Sequence, residues 1–429
     1  MMTRSVGSRV SATCAGALLL ALAAIPAAAQ QNDPIGRGLA AAVKKAAMAA
    51  ASTSSAADAQ EPAAAPAGEQ APAAASGDAT MKFFAGTELF GFVDTYYAYN
   101  FNKPTSACTT VGGGVAIFNC LHNFDVAHNA FSLNLAELAL EKKPTPDSRG
   151  GFRVDLDYGS AAAIVAGFEP GGTSIYQNIQ QAYLSYLAPA GKGTVQLDFG
   201  KFVTHNGNEV IETKDNWNYS RSLLFALAIP YYHMGVRATY SPTEKVSVMG
   251  EITNGWNNVV DNNTGKTVGA EILYKPNSML TVVQNYTGGP EQTATNAGWR
   301  HLSDTVVSYA LNKETSLAFN YDIGKDKGTD QLWQGIAAYL KYQGNDWFAV
   351  VPRYEYLKDK DAFMTGTSQN MQEFTLTLEF KHKDGVMMRV EYRGDFANTP
   401  YFLNDTTTLK KNQQAVMVGW VYAFSSKTP

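Results

Sequence analysis

The stretch FTLTLEFKHKDGVMMRVEYRGDF, residues 374–396, contains two runs of alternating side chains joined by the turn sequence KDG. In the first run Leu376 and Leu378 alternate with threonine and glutamate, and in the second Val390 alternates with arginine and glutamate. Successive side chains of a β-strand point to opposite faces of a sheet. The stretch therefore predicts a β-hairpin with one apolar face and one charged face.

Two classes of protein use such a hairpin. A soluble β-sandwich buries the apolar face in its core, whereas an outer-membrane barrel exposes that face to lipid and keeps the charged face in a wet interior. One hairpin does not distinguish them, so the decision rests on the rest of the chain.

The start of the chain indicates export. The segment CAGALLLALAAIPAAAQ, residues 14–30, follows Arg4 and Arg9 and ends in small residues, which is typical of a secretory signal peptide. With 17% charged residues and a mean hydropathy of −0.19, the chain is too polar for a bundle of transmembrane helices. We predict a signal peptide over residues 1–29.

The next segment differs in composition from the rest. Residues 30–86 are rich in alanine and proline and poor in bulky apolar side chains, so we predict an extended, largely disordered periplasmic linker. The remaining residues, 87–429, are predicted to form the barrel. The formal net charge of −4 argues against a nucleic-acid partner.

From residue 87 onward, sixteen alternating segments of strand length follow one another. Their connections alternate between short turns, such as PAGKG and KDG, and longer loops, such as 102–128 and 204–231. A transmembrane barrel distinguishes its periplasmic and outer ends in this way. We predict an all-β fold, an antiparallel up-and-down transmembrane barrel of about sixteen strands with short periplasmic turns and long extracellular loops.

Several motifs also carry a family resemblance. The stretches GFVDTYYAYNFNKP (91–104), IQQAYLSY (179–186), the segment 198–240 and TNGWNNVVDNN (253–263) resemble the OmpL-like β-barrel porin family of Gram-negative bacteria. The similarity covers most of residues 88–424. The resemblance implies an outer-membrane barrel that passes small hydrophilic solutes, and it supplies no catalytic residues.

A barrel of this size leaves an aqueous channel, because side chains cannot fill its interior. We therefore predict passive diffusion of small hydrophilic solutes and ions through a barrel embedded in outer-membrane lipid. The slight acidic excess favours cations. The predicted wall charges are Arg153, Asp155, Asp157, Asp198, Arg237, Glu251, Glu271, Asp322, Lys341, Arg353, Glu355, Glu379, Lys381, Arg389, Glu391 and Arg393.

The connection 204–231 differs from the other loops because it ends in the apolar run LLFALAIPYY. A wholly solvated loop has little reason to carry such a run. We expect it to fold inward and narrow the channel, with an external loop packed on its neighbours as the alternative. The charges expected at this constriction are Glu209, Glu212, Lys214, Asp215 and Arg221.

The remaining reactive residues leave alternatives open. In an exported protein Cys108 and Cys120 could form a disulfide or remain two free thiols. His205 and His233 bracket the loop 204–231, where polar pore-mouth residues are favoured over a metal or acid/base site. No nucleophile elbow or phosphate loop is present in the sequence, so we expect no enzyme, cofactor or metal.

Two other functions stay open at this point. The barrel could be a plugged surface receptor or adhesin, or an outer-membrane hydrolase. The oligomeric state is also open, and a homotrimer is compatible with the sequence.

Overall fold

The computed structural model describes residues 86–111, 114–169, 176–191 and 193–427. The predicted signal peptide and nearly all of the predicted linker lie outside these residues, so both stay predictions. Within the described residues, the regular secondary structure is almost entirely β-strand, with one helix of eight residues, α1 (Ser160–Gly167), and two shorter helical segments in the loop 204–231. None of the described helices combines the length and the apolar composition needed to cross a membrane.

Sixteen of the described strands form one closed antiparallel barrel. The barrel strands are β1 (Glu88–Asn100), β4 (Ala130–Lys142), β5 (Gly150–Tyr158), β6 (Ile179–Ala190), β7 (Gly193–Val203), β8 (Tyr232–Thr243), β9 (Val246–Thr253), β10 (Thr267–Tyr274), β11 (Leu280–Pro290), β12 (Trp299–Ala310), β13 (Thr315–Asp326), β14 (Gln331–Asn345), β15 (Phe348–Asp359), β16 (Gln369–Lys381), β17 (Val386–Ala397) and β20 (Asn412–Ser425). Pairing of β1 with β20, for example Thr95 opposite Trp420, closes the barrel. The prediction of a barrel of about sixteen strands is confirmed.

The two faces of the barrel wall differ in chemistry. Large apolar side chains such as Phe131 and Leu184 point outward, where 78% and 66% of their surface is exposed. Polar side chains such as Asp94 and Asp304 point inward and have no exposed surface. Closure leaves no strand edge with unpaired backbone groups, which lipid could not satisfy. The outer face is therefore suited to contact with lipid.

The hairpin β16–β17 turns its polar face into the barrel and its apolar face outward, as the alternation of polar and apolar residues predicts. Leu378 pairs with Val390 and Thr377 pairs with Glu391 across the two strands. The side chains of Thr377 and Glu391 are buried inside the barrel, whereas the apolar pair is partly exposed on the outside. The turn places Gly385 at φ +84°, a conformation that favours glycine.

Short and long connections alternate around the barrel. The connections at one end are 143–149, 191–192, 244–245, 275–279, 311–314, 346–347 and 382–385. Those at the other end are 101–129, 159–178, 204–231, 254–266, 291–298, 327–330, 360–368 and 398–411. This parity matches the sequence analysis, and the assignment of the long loops to the cell exterior stays a prediction.

The long loops carry local structure that the sequence pattern did not indicate. Strands β2 (Thr109–Val111) and β3 (Val115–Ile117) pair in the first loop, and β18 (Phe402–Asn404) and β19 (Thr408–Lys410) pair in the last. Three residues are too few to display an alternating pattern. Cys108 and Cys120 form a disulfide that links the two sides of the β2–β3 hairpin, with Cα atoms 5.6 Å apart.

Candidate functional site

Residues 204–231, called the inner loop below, connect β7 to β8 and lie against the inner face of the barrel. The Asn206 side-chain amide donates to Oγ1 of Thr287 on β11 at 2.9 Å. The backbone N–H of Gly207 donates to Oδ1 of Asp304 on β12 at 3.0 Å. Because β11 and β12 lie several strands away from β7 around the barrel, the loop crosses the interior.

Arg353 on β15 holds the middle of the inner loop. Its guanidinium donates to Oε1 of Glu209 at 3.0 Å and to the backbone carbonyl of Ser220 at 2.7 Å. It also donates to Oε2 of Glu373 on the neighbouring strand at 3.1 Å. A fully buried guanidinium is tolerated only when its donors and its charge are satisfied. Arg353 thus joins two separate parts of the inner loop to the wall.

Strand β17 holds the next part of the loop through two charged side chains. Arg389 donates to the backbone carbonyls of Thr213 at 2.7 Å and Asn218 at 2.9 Å. Glu391 accepts hydrogen bonds from the backbone N–H groups of Tyr219 at 2.6 Å and of the following residue at 2.9 Å. Hydrogen bonds to ionised groups are stronger than neutral ones. The wall therefore provides charged hydrogen-bond partners for backbone groups of the loop.

Tyr219 of the inner loop contacts the wall at β1 and β20. Its hydroxyl donates to Oδ1 of Asp94 on β1 at 2.8 Å. Its ring lies against the backbone at Gly419 on β20, where an added Cβ atom would lie 2.2 Å from the ring. Real Cβ atoms do not approach other atoms so closely, so this position needs glycine for Tyr219 to dock.

The apolar end of the inner loop packs on β13 and β14. Residues Leu224–Ala228 form a short helical turn there. The Trp333 indole donates to the backbone carbonyl of Ala228 at 3.2 Å. A Cβ atom at Gly335 would lie 2.5 Å from Cδ2 of Leu224, so glycine makes room for this side chain. Burial of the run removes apolar surface from water, which accounts for its presence in a loop.

The five charges expected at the constriction fall into two groups. Lys214 and Asp215 form an ion pair with side chains 21% and 55% exposed. Glu209, Glu212 and Arg221 are buried within the contacts of the loop. Burial raises the pKa of the Glu212 carboxyl, and nearby carboxylates raise it further. Only Lys214 and Asp215 of the five expose much charge to solvent.

Arg221 is placed differently from the expectation that it faces the channel. Its guanidinium donates to the backbone carbonyls of Val210 at 3.1 Å and Tyr219 at 2.6 Å, and it lies 4.9 Å from the ring centroid of Phe124. Both carbonyls belong to the inner loop. Arg221 therefore stabilises the conformation of the loop and leaves its charge shielded from the interior.

The sixteen predicted wall charges also divide by exposure. Eleven are buried, mostly beneath the inner loop: Asp155, Asp157, Asp198, Glu251, Asp322, Arg353, Glu355, Glu379, Arg389, Glu391 and Arg393. Five keep partial or full exposure: Arg153, Arg237, Glu271, Lys341 and Lys381. Within the first group Arg353, Arg389 and Glu391 bind the loop or one another, whereas both carboxylate oxygens of Asp157 and one each of Asp322 and Glu251 make no hydrogen bond among the described residues. The charges of the second group can act on solutes.

The family model described as "Putative beta-barrel porin-2, OmpL-like" matches residues 86–424, which is nearly the whole of the described barrel. The chain belongs to this family. No curated protein matches the chain.

Solved porins share the fold of this OmpL-like porin. OmpF of Salmonella typhi, solved in complex with daunomycin, is 14% identical, with a TM-score of 0.52 over 79% of this chain and 97% of that one. The anion-selective porin from Comamonas acidovorans is 13% identical, with a TM-score of 0.51 over 79% of this chain and 99% of that one. The trimer form of OmpT from Vibrio cholerae is 12% identical, with a TM-score of 0.51 and coverage of 79% and 99%. At these identities the likeness concerns the fold.

Asp94, Tyr219 and Gly419 of this porin are functional residues that were not predicted from the sequence. A signal for Asp94 was available, because Phe92, Asp94 and Tyr96 share one face of the β1 alternation. No local signal marks Tyr219 or Gly419, since their roles depend on a contact between residues 200 positions apart.

Proposed function

We propose that this protein forms a passive diffusion channel of the outer membrane, in which the inner loop sets the narrowest part of the path. The observation that carries the proposal is the route of residues 204–231, which contact the wall from β11 and β12 to β17 and β1 inside a closed barrel. A barrel of this strand number has an interior wide enough for water. A segment folded into it reduces the cross-section and selects solutes.

The exposures of inward side chains support a path beside β5 to β8. Inward residues in the middle of β15 and β16, such as Arg353 and Thr377, are buried under the inner loop, whereas Arg153 on β5 and Arg237 on β8 keep 24% and 20% of their side-chain surface exposed. Lys214 and Asp215 are the exposed charges of the loop. The path that we propose passes between this ion pair and the β5–β8 wall.

The exposed charges favour anions. Of the five predicted wall residues that keep exposed surface, four are basic, and in each of their ion pairs the cation is the exposed partner while the carboxylate is buried. The Lys214–Asp215 pair exposes both signs of charge. This balance differs from the whole-chain acidic excess, because many acidic groups are buried in ion pairs with arginines. A narrow path of low dielectric strengthens the effect of each exposed charge. We therefore assign the channel a preference for small anionic solutes.

The proposal includes the cellular setting. We propose that the signal peptide directs export to the outer membrane of a Gram-negative cell, where the barrel contacts lipid. We also propose that the protein has no catalytic activity. A homotrimer is also included, since OmpT of Vibrio cholerae, which has this fold, was solved in a trimer form. Native mass spectrometry in detergent should give the mass of three chains, and a single-chain mass would contradict the trimer.

Ion selectivity tests the proposed path. In a planar bilayer between unequal KCl concentrations, we expect a reversal potential with the sign of a chloride-selective channel. Lys214→Glu should lower the chloride-to-potassium permeability ratio several-fold, because it replaces a positive charge in the narrow path. Lys266→Glu is the matched control, since Lys266 also pairs with a neighbouring aspartate but lies on the connection between β9 and β10, 48% exposed.

Lys266→Glu should leave the permeability ratio nearly unchanged. A wild-type channel that prefers potassium would contradict the assigned selectivity. Equal shifts from the two variants would contradict the position of Lys214 in the path while leaving the barrel unaffected.

A further inference from the structure

Two histidines and one glutamate meet where the inner loop joins the wall. His205 is the second residue of the inner loop, His233 is the second residue of β8, and Glu251 lies on the adjacent strand β9. Nδ1 of His205 lies 3.4 Å from Oε1 of Glu251, and Nε2 of His233 lies 3.8 Å from the same oxygen. The three donor atoms lie within 4.8 Å of one another.

Hydrogen bonds on the far sides of the rings fix which nitrogens face the glutamate. Nδ1 of His233 lies 3.1 Å from the backbone carbonyl of Gly255, and Nε2 of His205 lies 3.3 Å from the carbonyl of Tyr286. A carbonyl only accepts, so each of these nitrogens carries the ring proton. The opposite nitrogens then present lone pairs toward Glu251. Metal-binding histidines commonly show this arrangement, with the second ring nitrogen donating to a carbonyl.

The facing atoms of His205 and Glu251 are not joined by a hydrogen bond. Nδ1 of His205 and Oε1 of Glu251 are buried and make no hydrogen bond among the described residues. Their side chains are only 4% and 1% exposed. Two acceptors held together out of water repel each other unless a cation lies between them. The pair therefore points to a positively charged occupant.

Gly269 on the barrel wall has no side chain and so leaves space for Glu251 and His205. A Cβ atom at Gly269 on β10 would lie 2.5 Å from Oε1 of Glu251 and 2.7 Å from Cε1 of His205. Any larger residue would displace the ring and the carboxylate. In addition, Oγ1 of Thr204 lies 3.3 Å from Nε2 of His233, and in the absence of a metal its hydroxyl can donate to this nitrogen.

We propose that His205, His233 and Glu251 bind one divalent transition-metal ion of the zinc type. Two imidazole nitrogens and a carboxylate oxygen are a common zinc donor set, with bonds of about 2.0–2.2 Å. Tetrahedral geometry places ligand atoms on such bonds roughly 3.3 Å apart. The spacings of 3.4 and 3.8 Å to Glu251 are close to this value, whereas the two histidine nitrogens, within 4.8 Å of each other, would have to move closer together. Such an ion would fasten the start of the inner loop and the start of β8 to β9.

Metal binding by the untagged, folded protein tests the site. After the protein has been stripped with a chelator in detergent, calorimetric titration with Zn²⁺ should give one ion per chain. Co²⁺ should give visible absorption bands typical of four-coordinate nitrogen and oxygen ligands. Glu251→Gln and His233→Ala should each weaken binding at least tenfold, whereas His382→Ala should leave it unchanged, because His382 is 61% exposed in the β16–β17 turn.

A second variant separates loss of a ligand from loss of the fold. Gly269→Ala retains all three ligands but should weaken binding by crowding Glu251 and His205. The heat-dependent shift in gel mobility of folded barrels reports assembly of every variant. Failure of the wild type to bind either metal stoichiometrically would overturn the proposal and would leave a proton on His205 as the cation. Unchanged affinity in the folded Glu251→Gln variant would also overturn it.

Discussion

Replacing Arg353 by methionine should release the inner loop from the wall and increase the single-channel conductance. The buried guanidinium hydrogen-bonds the carboxylates of Glu209 and Glu373 and the backbone carbonyl of Ser220. Without it, the three buried carboxylates of Glu209, Glu355 and Glu373 lose their nearest cation, and removal of one partner of a buried ion pair costs about 3–5 kcal/mol. We expect a lower free energy of unfolding in urea, together with larger and noisier currents in planar bilayers.

Arg149→Met serves as the matched control. Arg149 lies in the turn between β4 and β5 and makes one side-chain hydrogen bond, to the backbone carbonyl of Leu187 at 2.9 Å. Its replacement should change the free energy of unfolding by no more than about 1 kcal/mol, the usual net contribution of a hydrogen bond. A folded Arg353→Met protein with wild-type conductance and stability would show that the inner loop does not depend on this contact.

Gly419→Leu should have a comparable effect through steric exclusion. A Cβ atom at this position would lie 2.2 Å from the Tyr219 ring, so a leucine would displace the ring and break its hydrogen bond to Asp94. Overpacking of this kind costs about 1–3 kcal/mol, and loss of a buried hydrogen bond adds to it. Urea unfolding should report lower stability, and bilayer recordings should report altered conductance.

The control for this substitution is Gly250→Leu. Gly250 lies on β9, where a Cβ atom would meet nothing within 4 Å. The same change there adds an apolar side chain to an open site and should leave stability and conductance close to those of the wild type. Equal effects of the two leucines would contradict the docking of Tyr219 against β20.

The barrel could be predicted because its signal repeats along the whole chain. Alternation with a period of two, as in the β16–β17 hairpin, together with the parity of the connections, specifies strand number and direction. The two short hairpins β2–β3 and β18–β19 were missed because three residues carry no periodic signal. The helix α1 was also missed, because its eight residues are too few for a clear helical period and lie within a long connection.

The sequence did not predict which individual charged side chains are buried and which are exposed. Arg221 and Lys214 lie seven positions apart in one loop, yet Arg221 is buried on loop carbonyls and Lys214 keeps exposed surface. This difference depends on neighbours such as Phe124, about a hundred residues earlier in the chain. In contrast, the inward position of the loop was indicated by its own apolar run, because a solvated loop rarely carries one.

We propose that the inner loop borders the conducting path, and thiol modification of Asp215→Cys gives a direct test of this position. Asp215 is the most exposed charge of the inner loop among those predicted at the constriction. Cys108 and Cys120 are joined to each other, and Cys14 lies in the predicted signal peptide, so the new thiol should react selectively in the processed protein. A sulfonatoethyl methanethiosulfonate reagent added to a conducting Asp215→Cys channel should reduce the current in discrete steps. The same reagent should leave the current of Lys266→Cys unchanged. Modification of Asp215→Cys, verified by mass spectrometry, with no change in current would contradict the claim.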